Sequence, residues 1–312
     1  MSDNIYAKAE DDFHNQLWKR LLEKGTVKQI ADRLQLSSKQ LYRWKEGEAC
    51  YPLSSINKLC DLAKMKPRFA YVQTRRDSER LFEPKVVQKL NREFSEFLGH
   101  LLHDGGIDTD WRVHYTSDEE SLLSRFRQLI EICFGRTLVK SRASGEATTL
   151  YYPAIIGRLL GENFRLPKGS KVQSDVGIPR KIKQKLMTRN LIVPFVSAAY
   201  FCDGESGRAR LALASRETSR PPKLLRDLRD LLMRLDFKTI RISPSSMYAT
   251  KGGTHRRWVL SLKDRKEGKR FLQTVNDYRS ANIGWNSRVD GKAKSQPDRK
   301  FKRRTFCNES LA

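Results

Sequence analysis

The most constraining feature of the sequence is a pair of apolar segments that each end in Asp-Gly. The first, FSEFLGHLLHD, ends at Asp104, and the second, LIVPFVSAAYFCD, ends at Asp203, 99 residues later. The spacing of their apolar residues predicts two helices. A helix C-terminus carries partial negative charge, so a carboxylate there is unfavourable without a cation. If the two helices pack side by side, Asp104 and Asp203 are expected to hold a divalent metal ion such as Mg²⁺.

The segments that follow the two acids repeat the same order of elements. After Asp104 the pattern predicts a strand near 109–116, a helix over 119–134, strands near 137–140 and 148–152, and a helix from Ala154. After Asp203 it predicts a strand over 208–215, a helix over 224–235, strands over 238–242 and 257–262, and a helix over 267–279. We therefore predict an α+β fold with two pseudo-symmetric α-β-β-α-β-β-α repeats, at 93–188 and 189–285. The small residues Gly99, Ala198 and Ala199 predict a close approach of the two apolar helices.

The N-terminal 66 residues have a different pattern. Residues 26–47 (TVKQIADRLQLSSKQLYRWKEG) predict a short helix, a tight turn and a second helix that is capped by Ser37 or Ser38. This pattern resembles the helix-turn-helix of phage-repressor-like domains, whose second helix enters the DNA major groove. The resemblance implies DNA contacts from the outward-facing residues of that helix, Ser38, Lys39, Gln40 and Arg43. The alternative is a helical hairpin that contacts no DNA. We predict a small all-α domain at 1–66 and a charged linker at 67–92.

The charge composition indicates which class of molecule the protein binds. The chain has 61 Lys and Arg against 36 Asp and Glu, a net charge of +25. A surplus of this size is typical of proteins that bind a polyanion, and nucleic acid is the first candidate. No apolar run approaches the ~20 residues of a membrane span. The five scattered cysteines form no C-x-x-C pair, which indicates reduced thiols and a cytoplasmic protein.

Several segments of the sequence resemble those of a known protein family. FLGHLLHDG (97–105) and FVSAAYFCDG (195–204) are similar to the two signature helices of LAGLIDADG homing endonucleases in their single-chain, two-copy form. The segment 166–179, with LPKGSKV and GIP, and the IGW at 283–285 are similar to further family segments. The resemblance covers about 93–292. It implies a monomeric, saddle-shaped protein whose two four-stranded sheets lie in the major groove of double-stranded DNA, with the signature helices between the repeats.

The resemblance also implies roles for individual residues. The last acid of each signature helix holds catalytic Mg²⁺ in the family, which assigns that role to Asp104 and Asp203. A family lysine that reaches the active site matches Lys171. In the second half no single lysine matches cleanly; Lys292 is assigned, with Arg288 nearby. Two departures stand out: Leu102 and Phe201 replace a second acid of the consensus, and His103 and Cys202 replace a small residue.

Further basic residues extend the predicted DNA surface. Arg208 and Arg210 begin a predicted strand, and Arg256 and Arg257 follow a Gly-Gly turn, so all four are expected to contact DNA. The turn itself, 251–257, fits a phosphate-binding loop or a plain polar turn. The basic tail at 286–312 fits an arm along phosphates or a solvated terminus. His100, His103 and Asp104 also have a spacing compatible with zinc, although no remote Cys/His cluster completes such a site.

The sequence thus predicts a site-specific, Mg²⁺-dependent double-stranded DNA endonuclease that makes a staggered break. Two alternatives use the same fold. One is a catalytically inactive DNA-binding transcriptional regulator, and the other is an RNA-binding maturase or rRNA-processing factor.

Overall fold

The computed structural model describes residues 5–74, 79–85, 90–169, 175–216, 219–250 and 253–282. Lys171, Arg288, Lys292 and the basic tail at 286–312, all of which carried sequence predictions, lie outside these ranges. The fold is a mixed α+β arrangement with antiparallel sheets. Within the described ranges, every helix is too short or too polar to cross a bilayer.

The N-terminal unit has four helices and four strands with a hydrophobic core of its own. Its elements are β1 (Ile5–Ala9), α1 (Asp11–Leu22), α2 (Val27–Leu34), α3 (Ser38–Lys45), β2 (Tyr51–Pro52), α4 (Leu53–Ala63), β3 (Phe69–Thr74) and β4 (Leu81–Phe82). Thr26 caps α2 in a capping box with Gln29, and Ser37 caps α3 by accepting a hydrogen bond from the backbone N–H of Gln40. These caps fix where the two short helices begin.

The first half of the remaining chain contains a four-stranded sheet. Its elements are α5 (Arg92–Leu102), β5 (Gly105–Ile107), β6 (Val113–Ser117), α6 (Glu120–Phe134), β7 (Arg136–Thr137), β8 (Lys140–Ser144), β9 (Ala147–Tyr151) and α7 (Ala154–Phe164). The strand order is β5-β6-β9-β8. Apart from the two-residue strand β7, the order of elements is the α-β-β-α-β-β-α predicted for this half.

The described part of the second half has one sheet strand fewer. Its elements are α8 (Arg180–Lys185), α9 (Arg189–Asp203), β10 (Arg210–Ser215), α10 (Lys223–Arg234), β11 (Ile240–Thr250), β12 (Gly253–Leu262) and α11 (Arg265–Asn282). Its sheet has three strands in the order β10-β12-β11. The repeat formula implies two strands between α9 and α10, but the described residues of this interval hold only β10, close to the strand predicted at 208–215. Gly204 forms only an isolated bridge with Leu211, because the chain turns back at once: Glu205 N–H donates to Arg210 O.

The prediction that the N-terminal segment is all-helical is wrong. β1 pairs with β2 and β3, β3 pairs with β4, and β4 pairs with β7 of the first half. Residues 67–92 therefore contain two strands of a shared five-stranded sheet and do not form only a linker. The burial alternates along β1, with Ile5, Ala7 and Ala9 inside. Five alternating residues are a weak signal when the pairing strand is about sixty residues away in sequence.

The two apolar helices pack directly against each other. A Cβ built on Gly99 would lie 2.5 Å from the backbone O of Phe195 and 2.7 Å from the Cβ of Ala198. Ala198 and Ala199 are fully buried, and the Ser95 hydroxyl donates to Leu191 O at 2.5 Å. The predicted close approach of α5 and α9 through small residues is confirmed.

Candidate active site and nucleic-acid interface

The two predicted metal-binding acids stand at the ends of α5 and α9. α5 ends at Leu102, so Asp104 lies just beyond the helix, whereas α9 continues through Asp203. Both acids are partly exposed. His103, the residue before Asp104, places its Nδ1 2.6 Å from Oδ2 of Asp203. The packing of α5 on α9 therefore brings the ends of the two helices to one place.

Cys202 shows that both carboxylates lie near the same point. Burial raises the pKa of the Cys202 thiol well above its usual range, and the negative charges of Asp104 and Asp203 raise it further. The thiol lies 3.5 Å from Nδ1 of His100 and 3.7 Å from the hydroxyl of Tyr115. The two acids thus share a neighbour in the interface between α5 and α9.

The donor set fits a hard divalent cation that also binds substrate. Two carboxylates at helix C-terminal ends supply oxygen ligands and negative charge. Among the described residues there is no group of three or more His, Cys, Asp or Glu side chains that could hold a metal by itself. Mg²⁺ commonly binds through one or two carboxylates and completes its shell with water and substrate phosphates. Asp104 and Asp203 would be its protein ligands.

The zinc interpretation of His100, His103 and Asp104 finds no support in the geometry. Nδ1 of His100 lies 3.1 Å from the Tyr115 hydroxyl, and His103 contacts Asp203. The two imidazoles are therefore engaged in different contacts, and no three such side chains in the described ranges are placed to hold a metal together.

A network of buried polar side chains connects α5, the helix that precedes Asp104, to two other helices. Glu96 of α5, fully buried, accepts two hydrogen bonds from Arg125 of α6, at 2.9 and 2.6 Å, and a third from the Tyr278 hydroxyl of α11 at 2.6 Å. His100, one turn along α5, is also fully buried, and burial lowers its pKa to about 4. The network joins α5 to α6 and to the last helix, and it fixes the orientation of the helix that leads to Asp104.

The second sheet presents a basic surface on one face. Residues directly opposite each other on paired strands point to the same face. By this register, Leu211, Leu260 and Ile242 share the core face, and the other face carries small residues and arginines. The residues on this outward face are Arg210, Ala212, Ala214, Arg241, Ser243, Arg257, Val259 and Ser261. Arg210 and Arg241 are exposed, whereas Ser261 is buried.

The four arginines predicted to bind DNA are not all on that face. Arg210 and Arg257 are, and Arg208 lies just before β10; all three surround the Glu205 carboxylate at 3.6–3.7 Å. Arg256 pairs with Ser215, on the same side of the sheet as Trp258, and its guanidinium lies 5.9 Å from the Trp258 ring. The register thus separates Arg256 from the other three.

The first sheet has a similar outward face that sequence reasoning did not identify. Its members are His114, Thr116, Lys140, Arg142, Thr149 and Tyr151. Arg142 and Lys140 are exposed, and Lys140 forms an ion pair with Glu79. The alternating pattern KSRAS at 140–144 is the signal that would have revealed the two cations, because alternate residues of a strand share a face.

The predicted contact residues of α3 are on its surface. Ser38, Lys39, Gln40 and Arg43 are all exposed, whereas Leu41 and Trp44 of the same helix are fully buried. Arg43 lies 3.8 Å from Glu48. The DNA contact itself stays a prediction.

Several solved structures have a partly similar fold. The homing endonuclease I-DmoI, in mesophilic variants and in complex with DNA and Mn, is 15% identical, with TM-scores of 0.38 and 0.40; the match covers 60% of this chain and 96–97% of those chains. Full-length DUF199/WhiA from Thermatoga maritima is 12% identical with a TM-score of 0.35, over 67% of this chain and 64% of that one. No protein-family model and no curated protein matches the chain. At such low identity and TM-score, none of these likenesses assigns a function.

Proposed function

We propose that the protein is a site-specific double-stranded DNA endonuclease that depends on Mg²⁺. The observation that carries the proposal is that two closely packed helices end together, where His103, the residue before Asp104, contacts Asp203 and both acids lie near the Cys202 thiol. Two sheets follow these helices in the chain, and each has an outward face with exposed cations. A pair of carboxylates beside a phosphate-binding surface is suited to phosphodiester hydrolysis.

The two acids have a defined part in this chemistry. Asp104 and Asp203 would hold Mg²⁺ against the two scissile phosphates, one on each strand. Held by these two carboxylates, a divalent ion would supply positive charge for phosphodiester hydrolysis. The arginines of the two outward faces would hold the DNA backbone, and attack on both strands at offset positions would give the staggered break.

Lys171 is proposed as the residue that stabilises charge at the reacting phosphate, with Lys292 in the corresponding role for the second half. Support for Lys171 comes from its chain neighbour Gly169, whose N–H donates to Ile107 O at 2.7 Å. Ile107 ends β5, the strand that begins immediately after Asp104. Gly169, two residues before Lys171 in the sequence, is thus hydrogen-bonded to the strand that follows Asp104.

The N-terminal unit is proposed to add a second DNA contact through α3. Its exposed polar and basic residues fit insertion into a major groove. Arg43→Ala combined with Lys39→Ala is expected to weaken DNA binding without affecting cleavage chemistry. Lys28→Ala, on the exposed side of α2, is the matched control. Equal affinities in the two variants would remove α3 from the DNA-binding surface.

The nuclease is tested by selection followed by cleavage. The protein is allowed to bind a randomised and genomic DNA library in Ca²⁺, and the bound pool is then moved to Mg²⁺ and its ends are sequenced. Ends with a fixed stagger at one sequence are expected from the wild type. They should be absent in Asp104→Asn and in Asp203→Asn, while both variants still enrich the same sequence. Asp110→Asn, an exposed acid of the first half, should cut normally.

The second candidate is a DNA-binding transcriptional regulator without nuclease activity. The exposed α3 favours it, because such a surface serves DNA recognition whether or not the acids are active. The same selection separates the two: enrichment of one sequence without cutting supports the regulator. If no DNA is enriched, RNA binding becomes the function to test.

A further inference from the structure

His103 connects the two halves of the site. Its Nδ1 lies 2.6 Å from Oδ2 of Asp203. His103 immediately follows the first apolar helix, whereas Asp203 ends the second. An ionised carboxylate only accepts hydrogen bonds, so the imidazole donates from Nδ1. The acid of one half is therefore held by a side chain of the other half.

The imidazole lies on the protein side of this carboxylate. The His103 side chain has no exposed surface, whereas 21% of the Asp203 side chain is exposed. Asp203 thus keeps a side that faces solvent, and His103 does not cover it. The imidazole therefore makes the two oxygens of Asp203 different, because it contacts Oδ2 and not Oδ1.

The corresponding position of the second helix has a different chemistry. Cys202 precedes Asp203 as His103 precedes Asp104. Its thiol contacts His100 and Tyr115 within the buried network. A thiol is a weak donor and cannot hold a carboxylate as an imidazole does. The two acids therefore differ in the residue type that the opposite helix offers them.

We propose that His103 is a positioning residue that fixes Asp203 as a one-oxygen metal ligand and so makes the two acids unequal. The inference rests on the proposed nuclease function and deepens it, because it assigns different metal affinities to the two halves and different cleavage rates to the two DNA strands. Groups that hydrogen-bond to a metal ligand typically change metal affinity or activity about 10–100-fold when they are removed.

The first test measures metal binding without catalysis. Mn²⁺ binding to the full-length protein, with and without the selected duplex, is followed by the electron paramagnetic resonance signal of free Mn²⁺. His103→Ala is expected to weaken one class of site about 10–100-fold. His103→Gln, which keeps an N–H donor, should restore most of the affinity, and Cys202→Ala should leave it unchanged. Thermal unfolding of each variant establishes that it is folded.

The second test resolves the two strands. The selected duplex is labelled on each strand in turn, and the two cleavage rates are measured in Mg²⁺. His103→Ala is expected to change the ratio of the two rates by about tenfold or more, with rescue by His103→Gln and no change of the ratio in Cys202→Ala. Equal slowing of both strands with unaltered Mn²⁺ binding would give His103 a structural role only and overturn the inference. Tighter Mn²⁺ binding in His103→Ala would also overturn it, because the imidazole would then compete with the metal.

The outcome for the wild type separates this inference from the proposed function. A wild-type protein that neither binds Mn²⁺ with the duplex nor cuts it refutes the nuclease and the inference together. A wild-type protein that binds and cuts, but whose His103→Ala variant behaves like Cys202→Ala, refutes the role of His103 alone.

Discussion

The two apolar helices at the centre of the molecule look alike in sequence but bury different chemistry. α5 buries Glu96, His100 and Ser95, whereas the buried part of α9 consists of apolar residues, small residues and Ser197. Glu96 binds side chains of α6 and α11, and His100 contacts Tyr115 of β6. The orientation of α5 is thus fixed by hydrogen bonds between buried side chains, whereas that of α9 is fixed by the close packing of apolar and small side chains. Equal hydrophobic patterns in a sequence do not imply equal ways of holding a helix in place.

The largest expected effect comes from breaking the network of α5. Arg125→Ala leaves the fully buried carboxylate of Glu96 without its cation and is expected to lower the free energy of unfolding by about 3–5 kcal/mol. Arg127→Ala on the same helix removes an exposed pair with Glu120 and should cost less than about 1 kcal/mol. Urea unfolding of the two variants measures the difference, and similar losses would show that the buried pair does not hold α5.

A second effect is the pH dependence that His100 confers. Burial lowers the pKa of His100 to about 4, against 6.5 in an unfolded chain. Between these values the unfolded state binds the proton more readily, so stability falls as the pH drops from about 6.5 to 4. The loss is expected to reach about 3 kcal/mol. His100→Asn, which cannot take up this proton, should flatten the urea-unfolding profile over that range; an unchanged slope would place the effect elsewhere.

The close packing of α5 on α9 is tested by a substitution at Gly99. In Gly99→Ala the new methyl group meets the Phe195 carbonyl and Ala198, so the helices must separate, at an expected cost of about 2 kcal/mol. Gly268→Ala is the matched control, because its Cβ would meet only Ala209 at 3.5 Å inside a helix. That change should raise stability by about 0.5–1 kcal/mol. Equal behaviour of the two glycine variants in thermal unfolding would contradict close packing of α5 on α9.

The smallest expected effects are on DNA affinity, measured with substitutions on the outward faces of the two sheets. Arg142→Ala on the first outward face and Arg257→Ala on the second should each weaken DNA binding and reduce the slope of log affinity against log salt by about 1. Arg229→Ala, on the exposed side of α10, should leave the slope unchanged. Fluorescence anisotropy at several salt concentrations measures the slopes. A reduced slope for only one of the two variants would confine phosphate contact to one sheet.

Many helices, helix caps and close contacts of this protein could be predicted from the pattern of residues along the sequence. The apolar periodicity and the terminal Asp-Gly located the helices that lead to Asp104 and Asp203, because a helix repeats its buried face every three or four residues. The small residues predicted the close contact of the two apolar helices at Gly99. Cap residues such as Ser37 marked helix starts, since they satisfy backbone groups only a few residues away. These features depend on neighbours in sequence, and a sequence displays them directly.

Other features depend on partners that are distant in the chain. β1 becomes a strand because β2 and β3 pair with it, the face of Arg256 depends on register, and the His103–Asp203 contact joins residues 100 positions apart. No periodicity encodes such pairings. The sequence by itself determined which helices, caps and acids this protein has; the tertiary structure decided which side chains meet, because burial and strand register are properties of the packed chain.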